Sequence, residues 1–126
     1  MVRILNRGYE LIWREDRLED ALAPLPADFE WVVPNHPEGA VRHGPDGVIE
    51  FFRELIEPFE DLRVDWRLQE LSGGRALAII EMRGRGRSSG APVEMRFGQL
   101  WTFRGRTAER MVLYDDVDEA RRAAGL

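Results

Sequence analysis

Residues 93–103 read VEMRFGQLWTF. Val93, Met95, Phe97, Trp101 and Phe103 recur at every second position, with Glu94, Arg96 and Thr102 among the residues between them. A period of two marks a β-strand with one apolar face. Gln99 falls inside the apolar row, where its amide has two donors and an acceptor to satisfy. The neighbouring sequence extends the same period. Residues 62–71, LRVDWRLQEL, set Leu62, Val64, Trp66 and Leu68 against Arg63, Asp65, Arg67 and Gln69. Residues 76–87, ALAIIEMRGRGR, and 108–116, AERMVLYDD, give two further strands. SGGR, SSGA and RGRT lie between them as tight turns, so neighbouring strands run antiparallel.

The N-terminal half reads differently. Ile4, Leu5, Tyr9, Ile12 and Trp13 follow helical spacing. A second short helix is expected from Asp16, an N-cap with Glu19 three residues on in a capping box, and Pro24 and Pro26 end it. DFEWVVP puts Phe29, Trp31 and Val33 on one side of a short strand that Pro34 closes. PNHPEGAVRHGPDG reads as a loop. A third helix starts near Asp46, which can cap it, and runs through VIEFFRELIEPF, and DVDEARRAAGL reads as a short C-terminal helix. The order α-α-β-α-β-β-β-β with a final helix predicts an α+β fold, helices against one face of an antiparallel sheet. A long twisted sheet curls around such helices, with Gly84, Gly86 and Gly98 easing the bend. The space it encloses is either filled by side chains or left as a pocket.

The composition bounds the function. A chain of 126 residues, 44% hydrophobic, is expected to form one domain over 1–126. No run reaches the ~20 apolar residues of a membrane span, and MVRILNRGYE gives no signal-peptide pattern. With no Cys, a soluble cytoplasmic protein is the default expectation. The net charge of −5 argues against nucleic acid, even with the RGRGR run at 83–87. All 18 basic residues are Arg, so Schiff-base chemistry and a P-loop lysine are excluded. His36 and His43 are the only histidines and lack a third ligand nearby, so no metal site is expected.

Taken together, GYELIWREDRLEDALAPLPADFEW, HGPDGVIEFFRELIEPFEDLRV, RGRGRSSGAPVEMRFGQLWTFRG and LYDDVDEARRAAGL resemble the SnoaL-like branch of the ketosteroid isomerase and nuclear transport factor 2-like superfamily. The resemblance covers nearly the whole chain and implies an α+β cone with an apolar pocket, often dimeric through the outer face of the sheet. The superfamily holds isomerases, aldol cyclases, epoxide hydrolases and non-catalytic binding modules, so fold alone does not name the activity. In the steroid isomerases a helix Tyr and a protonated Asp hold the developing enolate oxygen, and an Asp before a Pro is the base. The matching positions here are Tyr9, Gln99 and Val33. Val33 cannot take a proton, which disfavours that isomerase mechanism. The resemblance to the epoxide hydrolases brings Glu81, Arg83 and Leu113 near their carboxylate–Arg–carboxylate set, with Leu in the last place. The resemblance to the cyclases points to Asp115 as an acid–base group, with Asp116 better suited to cap the last helix.

Glu81 and Arg83 depend on the register of the hairpin that turns at SSGA. In one register Glu81 faces Gln99 inside the cone. In the other, Ile80, Met82 and Gly84 face in, Glu81 and Arg83 face out, and Arg85 can meet Glu94. Ile79 and Ile80 serve either face, so alternation leaves both open. The expected catalytic groups are thus Glu81, Asp115 and Tyr9. The expected lining combines Tyr9, Trp13, Trp31, Val33 and Phe52 with Met95, Phe97, Gln99, Trp101 and Leu113, and with Arg83 in the inward register. Two functions stay open. One is a cofactor-free isomerase, cyclase or hydrolase for an apolar or aromatic, oxygen-bearing small molecule; the other is a non-catalytic ligand-binding or dimerisation module.

Overall fold

The computed structural model describes residues 1–34 and 40–126. Along the chain, α1 (Val2–Trp13) and α2 (Leu18–Leu22) precede β1 (Glu30–Val33), β2 (Ala40–His43) and α3 (Gly44–Ile56). Then come β3 (Phe59–Leu71), β4 (Arg75–Gly86), β5 (Pro92–Arg104), β6 (Thr107–Tyr114) and α4 (Val117–Ala123). The six strands form one curved sheet in the order β2-β1-β6-β5-β4-β3, and the helices α1 to α3 fill its concave side as an α+β cone. The four long strands are antiparallel, as their turns require. β1 instead runs parallel to β6, because the chain reaches it from the helices and not through a hairpin. Residues 40–43, expected in a loop, pair with β1 as an edge strand.

Two caps differ from expectation. Asp16 does not cap α2: Arg17 holds that place without a side-chain capping bond, and Asp16 sits in the left-handed region at φ 54°. His43 precedes α3, where Asp46 lies inside the first turn. Asp116 does cap α4, its Oδ1 accepting from the Asp118 N–H at 2.8 Å.

The core has two parts. On the concave side Leu5, Tyr9, Phe29, Trp31, Phe51 and Trp101 pack with Ala76, Ala78, Ile80 and Met82 of β4. On the convex side Leu77, Ile79 and Leu100 are covered by Val117, Ala120 and Ala124 of α4. Gly98 is required by packing. A Cβ there would stand 2.4 Å from Ala120 Cβ, so the glycine lets α4 lie directly on the sheet. Gly84 does sit at a bend. It faces the β3 irregularity between Glu60 and Arg63, where a Cβ would meet Glu60 O at 2.9 Å.

Candidate functional site

The hairpin register places the side chains of β4. Ile80 faces Phe97 and Met82 faces Met95, all toward the helices, while Glu81 faces Arg96 and Arg83 faces Glu94. Glu81 and Arg83 therefore lie on the convex face, in ion pairs of 3.5 Å to Arg96 and 3.6 Å to Glu94. Neither reaches the inside of the cone, so the inward register and its base are corrected. The cross-strand partner of Glu94 is Arg83; Arg85 bonds Asp61 instead, and Arg87 donates to the carbonyls of Glu57 and Phe59. All three arginines of RGRGR are thus engaged within the chain.

Along β5 the concave row divides in two. Trp101 and Phe103 are buried in solid core; Met95 and Phe97 are half-buried beside open space. That space is a cavity of about 430 Å³. Its sheet side is Ile80, Met82, Met95, Phe97, Gln99 and Leu113, with Trp31 from β1. Its helix side is Trp13 and the C-terminal end of α3 with the residues after it: Phe52, Glu54, Leu55, Ile56, Pro58 and Phe59. The volume lies within the usual range for small-molecule sites, and the lining is mainly apolar, as such sites are. Glu54 and Asp115 also line the cavity and are exposed, so they stand at its mouth. No basic residue lines it among the described residues.

Two surface clefts are wider. One of about 620 Å³ shares Trp13, Phe52, Ile56 and Phe59 with the cavity but is rimmed by Arg14, Asp16, Glu19, Arg53 and Glu60. Another of about 900 Å³ runs along the outer side of α1 past Arg3 and Arg7. Both mix charge with apolar surface, and neither has polar atoms converging on an apolar interior. The Trp13 and Phe52 rings, 5.3 Å apart, border both the first cleft and the cavity.

Gln99 forms the polar floor at the boundary between core and cavity, and a relay fixes its orientation. The Trp101 indole N–H donates to the Tyr9 hydroxyl oxygen at 3.0 Å. An indole N–H can only donate, so the Tyr9 proton is left to go elsewhere, and the hydroxyl donates to Gln99 Oε1. The amide oxygen is thereby engaged by one of its two lone pairs, and Nε2 keeps two N–H donors. Tyr9 stacks on Trp66 at 5.6 Å, and Trp66 Nε1 donates to Asn6 Oδ1 at 2.8 Å, which holds the ring in place. Burial pushes the Tyr9 phenol well above its ordinary pKa, with the Trp101 hydrogen bond acting the other way. Tyr9 is therefore a neutral donor near pH 7 and not a proton shuttle.

Trp31 lines the cavity with its ring while its polar atom is buried. It is 4% exposed, it packs edge-on against Phe51 at 5.2 Å, and its Nε1 is the one buried side-chain polar atom without a partner among the described residues.

A model of the SnoaL-like domain matches residues 5–111, most of the chain. The chain belongs to the SnoaL-like domain family. Its cone is similar to several solved structures. A nuclear transport factor 2-like protein of unknown function from Burkholderia pseudomallei K96243 is 24% identical with a TM-score of 0.75, covering 99% of this chain and 97% of that one. TerC, co-crystallised with polyporic acid, is 21% identical with a TM-score of 0.74, at 99% and 98% coverage. A putative SnoaL-like polyketide cyclase from Jannaschia sp. CCS1 is 18% identical with a TM-score of 0.78, at 98% and 90%. At these identities the likeness shows the fold. No curated protein matches the sequence.

Within this SnoaL-like cone, Trp13, Trp31, Phe52, Met95, Phe97, Gln99, Leu113 and Asp115 come together around the cavity. Tyr9 and Trp101 stand one layer behind, acting through Gln99, and Val33 is packed in the core. His36 lies outside the described residues. His43 lies on the edge strand with Nε2 3.6 Å from Glu30. Sequence reasoning missed Glu54, Leu55, Ile56, Pro58 and Phe59, and reached Ile80 and Met82 only through the register in which Glu81 faces out. The helical period around Phe51 and Phe52 carried the signal for Leu55 and Ile56, but an exposed Glu54 has none until α3 is placed over the sheet.

Proposed function

We propose that this SnoaL-like protein binds an apolar, oxygen-bearing small molecule in the cone and moves a proton on it without a cofactor. The observation that carries the reading is the Gln99 amide, held by Tyr9 and Trp101 with its N–H groups free at the floor of an apolar cavity. Such fixed donors stabilise charge developing on a substrate oxygen. With Glu81 outside, the proton falls to Asp115, and to Glu54, which lines the same cavity. This is the enolisation common to isomerases and aldol-type cyclases. The putative polyketide cyclase from Jannaschia sp. CCS1 and the TerC complex with polyporic acid lend this reading support at the level of analogy.

The second reading, a non-catalytic binding module, rests on the exposure of both carboxylates: the described part of the cavity interior holds no ionisable group. Proton NMR in D2O separates the two. The enzyme reading expects accelerated exchange of the α-protons of bicyclic ketones such as 2-tetralone, lost in Asp115→Asn with Glu54→Gln. Bound ketone that exchanges at the buffer rate decides for the binding module. The chain is taken as one cytoplasmic domain that pairs with a second copy through the convex face. A monomer in equilibrium sedimentation at micromolar concentration would remove that pairing.

A further inference from the structure

The cavity of about 430 Å³ and the first cleft of about 620 Å³ share four lining residues, Trp13, Phe52, Ile56 and Phe59. A residue that lines two spaces stands on the boundary they have in common. Three elements build this one. Trp13 is the last residue of α1, so its ring stands where the helix ends. Phe52 and Ile56 lie four apart on one face of α3, and Phe59 opens β3. All four are apolar and half-buried, as open space on two sides requires. The Trp13 and Phe52 rings meet at 5.3 Å with their planes tilted by 52°, and Phe52 also lies 6.5 Å from Trp31 inside the cavity. The surroundings change across these rings. On one side the lining is mainly apolar with Gln99 at its floor; on the other Arg14, Asp16 and Glu60 rim the cleft, and Glu19 and Arg53 form an ion pair there between α2 and α3.

We propose that the Trp13–Phe52 pair sets the length of ligand that the cavity accepts: a compact ring system fits beside Gln99, and a longer rigid one is stopped at the rings. The assignment rests on the small-molecule reading of the cavity. Gln99 lines the cavity and not the cleft, so a ligand oxygen held there fixes one end of the molecule. A rod extended from that end toward the cleft has to displace a ring and break the contact between the pair. Beyond the rings it meets charged, solvated groups, where added apolar length gains little and desolvation costs. The pair is thus the element that works against the longer molecule, as specificity commonly requires.

The test compares 2-acetylnaphthalene with 6-phenyl-2-acetylnaphthalene, which share the ketone end and differ by one rigid ring. Affinities are read from quenching of the intrinsic Trp fluorescence, for which Trp31, Trp66 and Trp101 remain in every variant. The wild-type protein is expected to bind the shorter ketone at least about tenfold more tightly. A phenyl ring given room to leave water is worth roughly tenfold or more in affinity, so Trp13→Ala should reverse the preference. Phe52→Leu should move it the same way by a smaller factor. Trp13→Leu gives the same reading if the Ala variant fails to fold. Arg53→Gln breaks the ion pair in the cleft without opening the boundary and should leave the preference as in the wild type. An unchanged preference in the Trp13 and Phe52 variants would overturn the assignment, and so would an equal shift in Arg53→Gln, which would mean a loosened α3. If the wild type binds neither ketone, the small-molecule reading itself fails; if it binds both equally, only the length limit does.

Discussion

Replacing Tyr9 by Phe removes a single oxygen, yet it breaks two hydrogen bonds at once. The Trp101 N–H loses the acceptor that stands 3.0 Å away, in a side chain only 9% exposed. Gln99 Oε1 loses its donor. A buried donor left unmade costs about 1–3 kcal/mol, and a typical hydrogen bond contributes about 1 kcal/mol net. Gln99 borders the cavity and can turn to water, so its share is small. Tyr9→Phe should therefore destabilise the fold by roughly 2–3 kcal/mol, a fall of roughly 1–2 M in the urea midpoint at the usual slopes. Gln99→Leu leaves the Tyr9 proton without its acceptor but gains apolar contact, and should cost about 1 kcal/mol. Because the two residues share one bond, the double variant should fall short of the sum by about 1 kcal/mol. Urea unfolding followed by far-ultraviolet circular dichroism measures all three. A Tyr9→Phe protein within 0.5 kcal/mol of wild type, or strict additivity with Gln99→Leu, would refute the relay; the 0.5 threshold is the roughly neutral range for substitutions away from special features.

Three further outcomes follow from the packing and the titration of the relay. Burial raises the Tyr9 pKa above its unfolded value of 10.0. The unfolded chain therefore loses this proton first, and between about pH 10 and 11 stability should fall by about 1 kcal/mol through this residue; Tyr9→Phe should remove that fall in urea titrations over the same range. Gly98→Ala puts a Cβ against Ala120 and should cost about 2–3 kcal/mol, with faster amide hydrogen exchange in α4 than in β5 if the helix lifts first. Glu81→Gln removes an exposed pair with Arg96, so it should cost less than about 1 kcal/mol and leave ketone affinity unchanged; a tenfold loss of affinity would place Glu81 in the site after all.

Much of the site was legible because side chains alternate across a strand by geometry. Met95, Phe97, Gln99, Trp101 and Phe103 had to share a face whatever the fold around them, and that row does line the cone. The Asp116 cap was legible for a similar reason, since a short acceptor before a helix bonds its own backbone. The edge strand at 40–43 was not, because its pairing partner, β1, lies outside the segment and turn residues surround it.

The sequence by itself determined which residues within each strand move together, where the long strands turn back, and that a polar group interrupts the apolar row at Gln99. It could not determine which face of β4 looks inward. Ala76 through Ile80 are all buried, because α4 covers Leu77 and Ile79 on the convex side while the cone covers Ala76, Ala78 and Ile80 on the other. A strand buried on both faces loses its alternation, and with it the signal that would have sent Glu81 and Arg83 outward. Only the tertiary structure, by setting the hairpin register and laying α4 on Gly98, settled that choice.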